Sequence, residues 1–450
     1  MAWSIDLNLS ESFAEVVACQ NSQRVGTHWF MPRQSLSSGL QKFKEQHLGD
    51  ETAESVRISV KSVQKIIERR LGTSPALLVT GGFENWLEMS LPIHQDYFTT
   101  QPDRVPPLVP RDFVFGVNER VSASGTIEKA VDHEQLEFLV SKLKMNNIQS
   151  VAVAFLHAHK NASNETTVAH FLKEYGFKVY CSSQYENFNN EKNAWWAALL
   201  TTYLAPTFEE IFSHLQEDIK KVFNTSEILL TSPHGDINSA DSPHILSTQF
   251  GYISELLEQH SELNGAGLFY LGYEEFIYIP LEQNASSKWS SPFGDFFIKK
   301  PNFKKLRIQP SQIINETFWG SAGYTQSEAG FEPGPMTLGR GHNPTFFDVL
   351  LLKDRFKKLP HLQELSTSQG MVRANESLEA LSRVAHNRNA FNQKDLLTWL
   401  EEIALMDIVM ELQKLSLSKK VHCIGPLAQA VIPQIQEWDV KLDLIHKALI

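Results

Sequence analysis

The chain has 450 residues, 42% of them apolar and 21% charged, with a formal net charge of −11. Such a length suggests two to four domains at roughly 100 to 200 residues each, and the apolar share is ample for buried cores. The negative balance excludes a general polyanion-binding surface, because nucleic-acid binders concentrate Lys and Arg against phosphates. Three cysteines, Cys19, Cys181 and Cys423, are too few and scattered for a disulfide framework or a metal knuckle. No apolar run reaches the roughly 18 to 20 residues of a membrane span, and the first residues lack the basic and apolar regions of a secretory leader. The expectation is a cytoplasmic chain with neither nucleic acid nor membrane as partner.

The first elements read as a β-meander, "WSIDL", "FAEVVAC" and "RVGTHWFM", short apolar runs between polar or turn residues. Two helices follow, "LSSGLQKFKEQHL" and "VQKIIERRLG", the second with Val63, Ile66 and Ile67 on one face and Gly72 as its stop signal. "ALLVT", Ala76 to Thr80, is a short buried strand. The three prolines of "RVPPLVPR", Arg104 to Arg111, exclude a sheet interior and mark a seam. Beyond it helix and strand alternate, "DHEQLEFLVSKLKMNN", "SVAVAFLHA", "NETTVAHFLKEYG" and "KVYCS", which is the pattern of a parallel βαβ arrangement. Glu191 to Val222 is a long helix that Pro206 should end or kink.

"SEILLTS" is then a strand, and "GLFYLGYEEFIYIPL" is two strands around a tight turn at Gly272. An irregular insertion begins at Leu281. The last quarter reads as helical over Asp348 to Phe356, Ser377 to His386 and Gln393 to Leu415, followed by the strand "VHCIG" and two short closing helices. This gives three regions: 1–105, 106–225 with the βαβ pattern and long helix, and 226–450 with the insertion over 281–330.

Six stretches, in this order, resemble the A-type chains of the hydantoinase/5-oxoprolinase family. They are "ALLVTGGFENWLEM", "PPLVPRDFVFGVNERVSASG", "SVAVAFLHAHKNASNE", "SPHGDINSADSP", the glycine- and proline-rich loop "GFEPGPMTLGRGHNPTFFD" and "IGPLAQAV". The resemblance implies an α/β, two-lobed, actin-like and sugar-kinase-like (ribonuclease H-like) fold, with mixed sheets flanked by helices around a nucleotide cleft. It also implies ATP and magnesium as cofactors, cyclic-amide ring opening or ketone carboxylation as activity, and a hydantoinase B-type or A-type homologous subunit as partner.

A phosphate grip needs tight glycine turns whose N–H groups reach the phosphates, with hydroxyls and a carboxylate for Mg²⁺. The family pattern supplies two, each an acid followed by Gly-Gly-Thr. The first corresponds here to "IDLNLSESFAEVV", which keeps Asp6, Ser10 and Ser12 and offers Glu15 as the closing acid, but has Asn8 and Leu9 for the glycines. The second corresponds to "FYLGYEEFIYI", where only Gly272 survives and Glu274 stands at the hydroxyl position. A third element, "RISVKSVQKIIERR", keeps Ser59 and Ser62 but has Ile58 for the glycine, and "LSTQFGYISELL" keeps Ser247 and Gly251 of a fourth.

On the adenosine side Gly425-Pro426 opens a helix, equally suited to a nucleotide or to an ordinary turn. In the glycine-rich loop Gly334, Gly339, Arg340 and Asp348 are candidate substrate contacts, although a packed hinge and a helix cap would use the same residues. His157, His159, His234 and His244 read as strand-end polar residues rather than metal ligands, and Trp195-Trp196 as core.

The expectation is a divergent, truncated family member, with the fold kept and ATP-driven ring opening lost or weakened, acting as a non-catalytic or regulatory subunit. Two alternatives stay open. One is an active ATP-dependent hydrolase of a small cyclic amide, or a related carboxylase subunit, and the other is a metabolite-binding protein.

Overall fold

The computed structural model describes residues 3–20, 23–31, 35–61, 63–90, 106–185, 190–225, 227–239, 242–265, 267–282, 287–291, 293–298, 300–316, 322–325, 334–357, 359, 361–362, 365, 368–389, 392–416, 420–436 and 444–446. Ser62, Arg104, Glu332 and Pro333 lie outside them.

The N-terminal meander is β1 (Trp3–Leu9), β2 (Ala14–Gln20) and β3 (Gln23–Phe30), antiparallel throughout. Helix α1 (Leu36–His47) begins where the Ser35 Oγ accepts the Ser38 N–H, and returns the chain to β4 (Ala53–Val60), parallel to β1. After α2 (Val63–Glu68) the chain builds a second layer from β5 (Ala76–Thr80), α3 (Trp86–Ser90), β6 (Val114–Val117), β7 (Arg120–Val121), β8 (Ile127–Lys129), α4 (His133–Met145), β9 (Ser150–Ala154), α5 (Ser163–Glu174) and β10 (Lys178–Cys181). Its sheet runs β10-β9-β5-β6 with every pair parallel, as the βαβ alternation predicts.

Helix α6 (Glu191–Phe223) leads back to β11 (Glu227–Leu230), which pairs with β4. The first sheet is therefore β3-β2-β1-β4-β11, an antiparallel meander continued by two parallel strands. Next come α7 (Gly251–Gln259), β12 (Gly267–Leu271), β13 (Phe276–Pro280), β14 (Ser287–Ser291), β15 (Gly294–Ile298), β16 (Lys304–Lys305), β17 (Ile313–Glu316), β18 (Ala322–Thr325), α8 (Phe346–Leu352), α9 (Gln369–Asn389), α10 (Gln393–Ser416), β19 (Val421–Ile424), α11 (Ala428–Gln436) and β20 (Leu444–His446). Their main sheet is β16-β13-β12-β19-β20. The topology of the first sheet recurs strand for strand: β12, β13 and β16 form the meander and β19 and β20 the parallel extension. Two sheets of this one topology, sharing one apolar cluster through Leu268, Tyr270, Ile277 and Ile279 while Phe269, Leu271 and Phe276 face a second, are the duplicated architecture of the two-lobed actin-like fold.

Four expectations need correction. "RISV", which the family resemblance sets against a glycine-bearing turn, is the end of strand β4, whose Val56 and Ile58 are fully buried. The stop of α2 comes at Glu68, with Arg70 in the left-handed region at φ 55°, while Gly72 packs against Tyr203, whose ring carbon would lie 2.4 Å from an added Cβ. Pro206 does not end α6, because every residue from Asn193 to Ala205 is buried and that packing offsets the roughly 3 kcal/mol a mid-helix proline costs. Among the described residues the last elements are one helix, α11, and strand β20, rather than two helices. The insertion also carries two hairpins, β14–β15 and β17–β18.

The first turn of α7 is where a substitution should be felt most. A Cβ on Gly251 would stand 2.3 Å from the Thr231 carbonyl oxygen, so backbone must move. Gly251→Ala is expected to lower stability by about 2 kcal/mol or more, read as a shift of the denaturation midpoint at unchanged m-value.

Candidate functional site

The β1–β2 and β12–β13 turns face one another across a cleft lined by Asn8, Ser10, Phe13, Glu15, Lys61, Tyr270, Gly272, Tyr273, Glu274, Glu275, Trp29 and Pro426. The free volume at its centre is about 20 Å³, room for one or two waters. Part of the filling is aromatic: the Phe13 ring lies 4.3 Å from that of Tyr273 and 6.2 Å from that of Phe347.

Of the residues expected to hold a nucleotide, Ser10, Glu15, Gly272 and Pro426 line this cleft. The Ser10 N–H and Oγ both donate to the Phe13 carbonyl, closing the turn. Glu15 is buried and ion-paired with Arg24 at 3.1 Å, and its second oxygen accepts from the Asn8 amide at 3.3 Å. The Gly272 N–H donates to the Glu275 carbonyl, which closes the opposing turn. Gly425 has φ 101° and a Cβ there would lie 2.7 Å from the Leu271 carbonyl oxygen, so its glycine is required by the turn itself.

Ser12 is buried, and its N–H donates at 2.6 Å to a carboxylate oxygen of Glu274, while the Glu11 N–H donates at 3.3 Å to the other. Burial raises the Glu274 carboxyl above its ordinary value, opposed by the Ser12 N–H and the positive field of Arg340. The glycine-rich loop reaches this point through Arg340, which donates to the Glu11 carboxylate at 2.8 Å and to the Glu11 carbonyl. Arg69 holds the other Glu11 oxygen at 2.9 Å.

Elsewhere in that loop the candidate contacts are structural. Asp348 is fully buried and accepts from the N–H groups of Met336, Thr337 and Thr345 and from both threonine hydroxyls, so it caps α8 and pins the loop to it. Gly334 and Gly339 have φ of 116° and 68°, which shape the same loop.

Asp6 sits behind the cleft. Arg57 on β4 grips it with Nε to one carboxylate oxygen at 2.7 Å and Nη2 to the other at 3.0 Å, and Gln259 adds a third bond at 2.8 Å. Burial opposes the arginine's charge but is outweighed by these bonds and the Asp6 field, so the guanidinium is held firmly protonated. Sequence reasoning missed Arg57, although a charge inside "SVRISV" signals a buried partner. It also missed Lys61, whose ammonium lies 3.7 Å from the Tyr252 ring centroid and 3.7 Å from Glu275.

Ser59 Oγ accepts the Tyr252 N–H at 2.8 Å and donates to the Thr248 carbonyl, which ties β4 to α7. The His157 and His159 rings are 6.2 Å apart and those of His234 and His244 stack at 4.1 Å. Among the described residues no group of three or more His, Cys, Asp and Glu has the geometry to hold a metal. Trp195 and Trp196 are core, packed around Trp86. Cys19, Cys181 and Cys423 are free and buried.

Paired hairpin turns across a cleft between two sheets of equal topology define an actin-like two-lobed protein. Residues 30–176, about a third of the chain, match the hydantoinase/oxoprolinase N-terminal region. It is 26% identical over 170 residues to an uncharacterized protein of Methanocaldococcus jannaschii, covering 36% of this chain and 24% of that one. It is 22% identical over 187 residues to the acetone carboxylase beta subunit of Xanthobacter autotrophicus, covering 38% and 26%. The matched segments thus span about a quarter of those relatives' length.

In fold it resembles nucleotide-free acetone carboxylase, with a TM-score of 0.70 at 15% identity over 98% of this chain and 68% of that one. The ATP-dependent caprolactamase of Pseudomonas jessenii gives 0.67 at 14% identity over 97% and 67%. Among the described residues no helix is long and apolar enough to cross a membrane.

The triphosphate and Mg²⁺ that the family resemblance implies do not fit the residues present. Both oxygens of Asp6 are bound by Arg57, and the N–H groups of the first turn are given to Glu274.

Behind Asp6, Glu255 is buried, with the Thr231 side chain beside it. Burial, then the Asp6 carboxylate, push its carboxyl well above the usual carboxylate range. A carboxyl raised on folding binds more protons folded than unfolded, so its contribution to stability falls as pH rises from 4.5 through the folded value. Glu255→Gln, which carries no charge to bury, is expected to melt several degrees above wild type at mildly alkaline pH. The two melting curves should converge as the pH falls towards 4.5, and thermal scans across that range measure it.

Proposed function

We propose that this protein is a non-catalytic member of the hydantoinase/oxoprolinase family, a regulatory or scaffolding subunit that retains the two-lobed fold and no longer carries out ATP-driven ring opening. The observation that carries the reading is the Asp6–Arg57 pair. The acid that the family resemblance would turn towards magnesium is 0% exposed and bound on both oxygens by a guanidinium from the neighbouring strand. A cation at Asp6 would have to displace that guanidinium from both carboxylate oxygens and leave it with Glu258 alone. Leu9 and Asn8 in place of the turn glycines, and a cleft with about 20 Å³ free, point the same way.

The subunit role is supported by one curated relative's being a beta subunit by name. By that analogy the chain works in the cytoplasm beside a hydantoinase B-type or A-type homologue.

Calorimetric or fluorescence melting with millimolar MgATP tests the loss of nucleotide chemistry. A ligand that binds the native state must raise its melting temperature, by about 2.7 kcal/mol of stability at a hundredfold excess over Kd. The expected result is no rise with MgATP or with Mg²⁺ alone. A rise of several degrees overturns the proposal and favours an active ATP-dependent hydrolase. Affinity purification from the native host tests the subunit role, with recovery of a hydantoinase-type homologue expected and recovery of the chain alone counting against it.

A further inference from the structure

We propose that the groove between strand β17, the end of the glycine- and proline-rich loop and helix α9 binds a small uncharged polyol of cyclitol or monosaccharide size. Its free volume is about 260 Å³. That is just under the roughly 300 to 1,000 Å³ of pockets that take drug-sized molecules, so the ligand is small. Ile314 and Asn315 of β17 form one side, Asn343 and Pro344 of the loop the second, and Ser377, Ala380 and Leu381 of α9 the third.

The walls are set before a ligand arrives. An antiparallel bridge between Ile313 and Thr345 holds the end of the loop to β17: the Ile314 N–H donates to the Pro344 carbonyl at 2.7 Å and the Phe346 N–H to the Gln312 carbonyl at 3.1 Å. Nearer its start the loop is pressed on α9, where a Cβ on Gly370 would stand 2.6 Å from the Met336 carbonyl oxygen. Helix and strand are therefore fixed to one loop.

Polar groups along the groove have bonding capacity to spare. Among the described residues the Asn343 carboxamide has no hydrogen-bond partner, and Asn315 uses only its side-chain oxygen, for the Glu316 N–H at 3.1 Å. The Ser377 hydroxyl meets only the Met336 sulfur, at 3.8 Å. In an antiparallel pair the Ile314 carbonyl would take a bond back from residue 344, but that residue is a proline and has no N–H to give.

These groups define the chemistry of the ligand. Carboxamides and a hydroxyl both donate and accept, and so do the hydroxyl groups of a polyol, which can match them in either sense. No Asp, Glu, Lys, Arg or His lines the groove among the described residues, so an ionised ligand would give up hydration for no counter-charge. Pro344, Ala380 and Leu381 add an apolar wall for the C–H face of a sugar or cyclitol ring. The groove shares no lining residue with the cleft, so binding of MgATP there, or its absence, leaves the polyol site untouched.

The experiment titrates the methyl-labelled full chain with myo-inositol and with D-xylose and reads the Ala380 and Leu381 methyl resonances. At least one of the two polyols is expected to shift both residues saturably at millimolar concentration, and gluconate, which carries a carboxylate, to shift neither. Asn343→Leu is expected to weaken the binding about tenfold, as the loss of one hydrogen-bonding group would, with the melting temperature unchanged because the native carboxamide bonds nothing in the chain. Should that variant not fold, Asn315→Leu, at an exposed position, gives the same readout. The proposal is overturned if neither polyol gives a saturable shift, if gluconate binds as well as they do, or if the folded variant binds like wild type.

Discussion

The first sheet depends on the bidentate pair between Asp6 and Arg57. Both side chains come from adjacent parallel strands, β1 and β4, which are register partners at this position. Neither charge could be buried alone, because an isolated ion in a low-dielectric interior costs several kcal/mol. Once paired, they set what surrounds them. Gln259 on α7 completes the acceptor shell of Asp6, Glu258 binds the outer guanidinium nitrogen at 2.8 Å, and α7 is fastened to the strands through polar contacts. Nearby Glu255 is pushed well above the usual carboxylate range by its burial and by the Asp6 carboxylate, which the Arg57 charge only partly offsets.

The second dependency is between the turns. A glycine pair would leave the first turn open to close approach; Asn8 and Leu9 do not, and Asn8 instead supports Glu15. The opposing turn carries acids where the family pattern has hydroxyls, and two acids facing a triphosphate would repel it. In this structure they face the protein's own donors. Glu274 takes two backbone N–H groups, and Glu275 takes Lys61, Lys305 and the Tyr252 hydroxyl. Burial alone would raise the Glu275 carboxyl, but the two lysines outweigh it and hold it below its ordinary value. The substitutions at the two turns are thus complementary: the donors exposed by one are consumed by the acids of the other.

The sequence made the fold legible wherever apolar periodicity was strong. The meander, the parallel βαβ layer, the β12–β13 hairpin and the C-terminal helices all stand near where their patterns put them. It misled where burial overrode a local signal. Pro206 looked like a break because helix propensity was read without the packing that encloses the first half of α6. Strand β4 was hidden by Arg57, whose charge interrupts an otherwise apolar alternation. The site was legible as a set of positions but not as a set of contacts. Ser10, Glu15, Gly272 and Pro426 line one cleft, yet nothing in their spacing shows that Glu274 bridges it or that Arg57 holds Asp6. Those bonds join residues 263 and 51 positions apart, beyond the reach of any local pattern.

The residues that still look like the family divide by what they do physically. Gly251, Gly425 and Asp348 are retained where the backbone leaves no choice: a Cβ would strike Thr231 or Leu271, and Asp348 takes five donors of one buried loop. None of these constraints needs a ligand. The positions that differ are those where a ligand would have supplied the missing charge or filled the missing space, and there the chain supplies both itself, with Glu274 for the anion and Phe13 for the volume. Packing constraints of this kind hold a fold with or without a ligand, provided the buried polar groups find partners within the chain. The Asp6–Arg57 pair is such a partnership within the first sheet, and the bonds of Glu274 to the Glu11 and Ser12 N–H groups are one between the two turns.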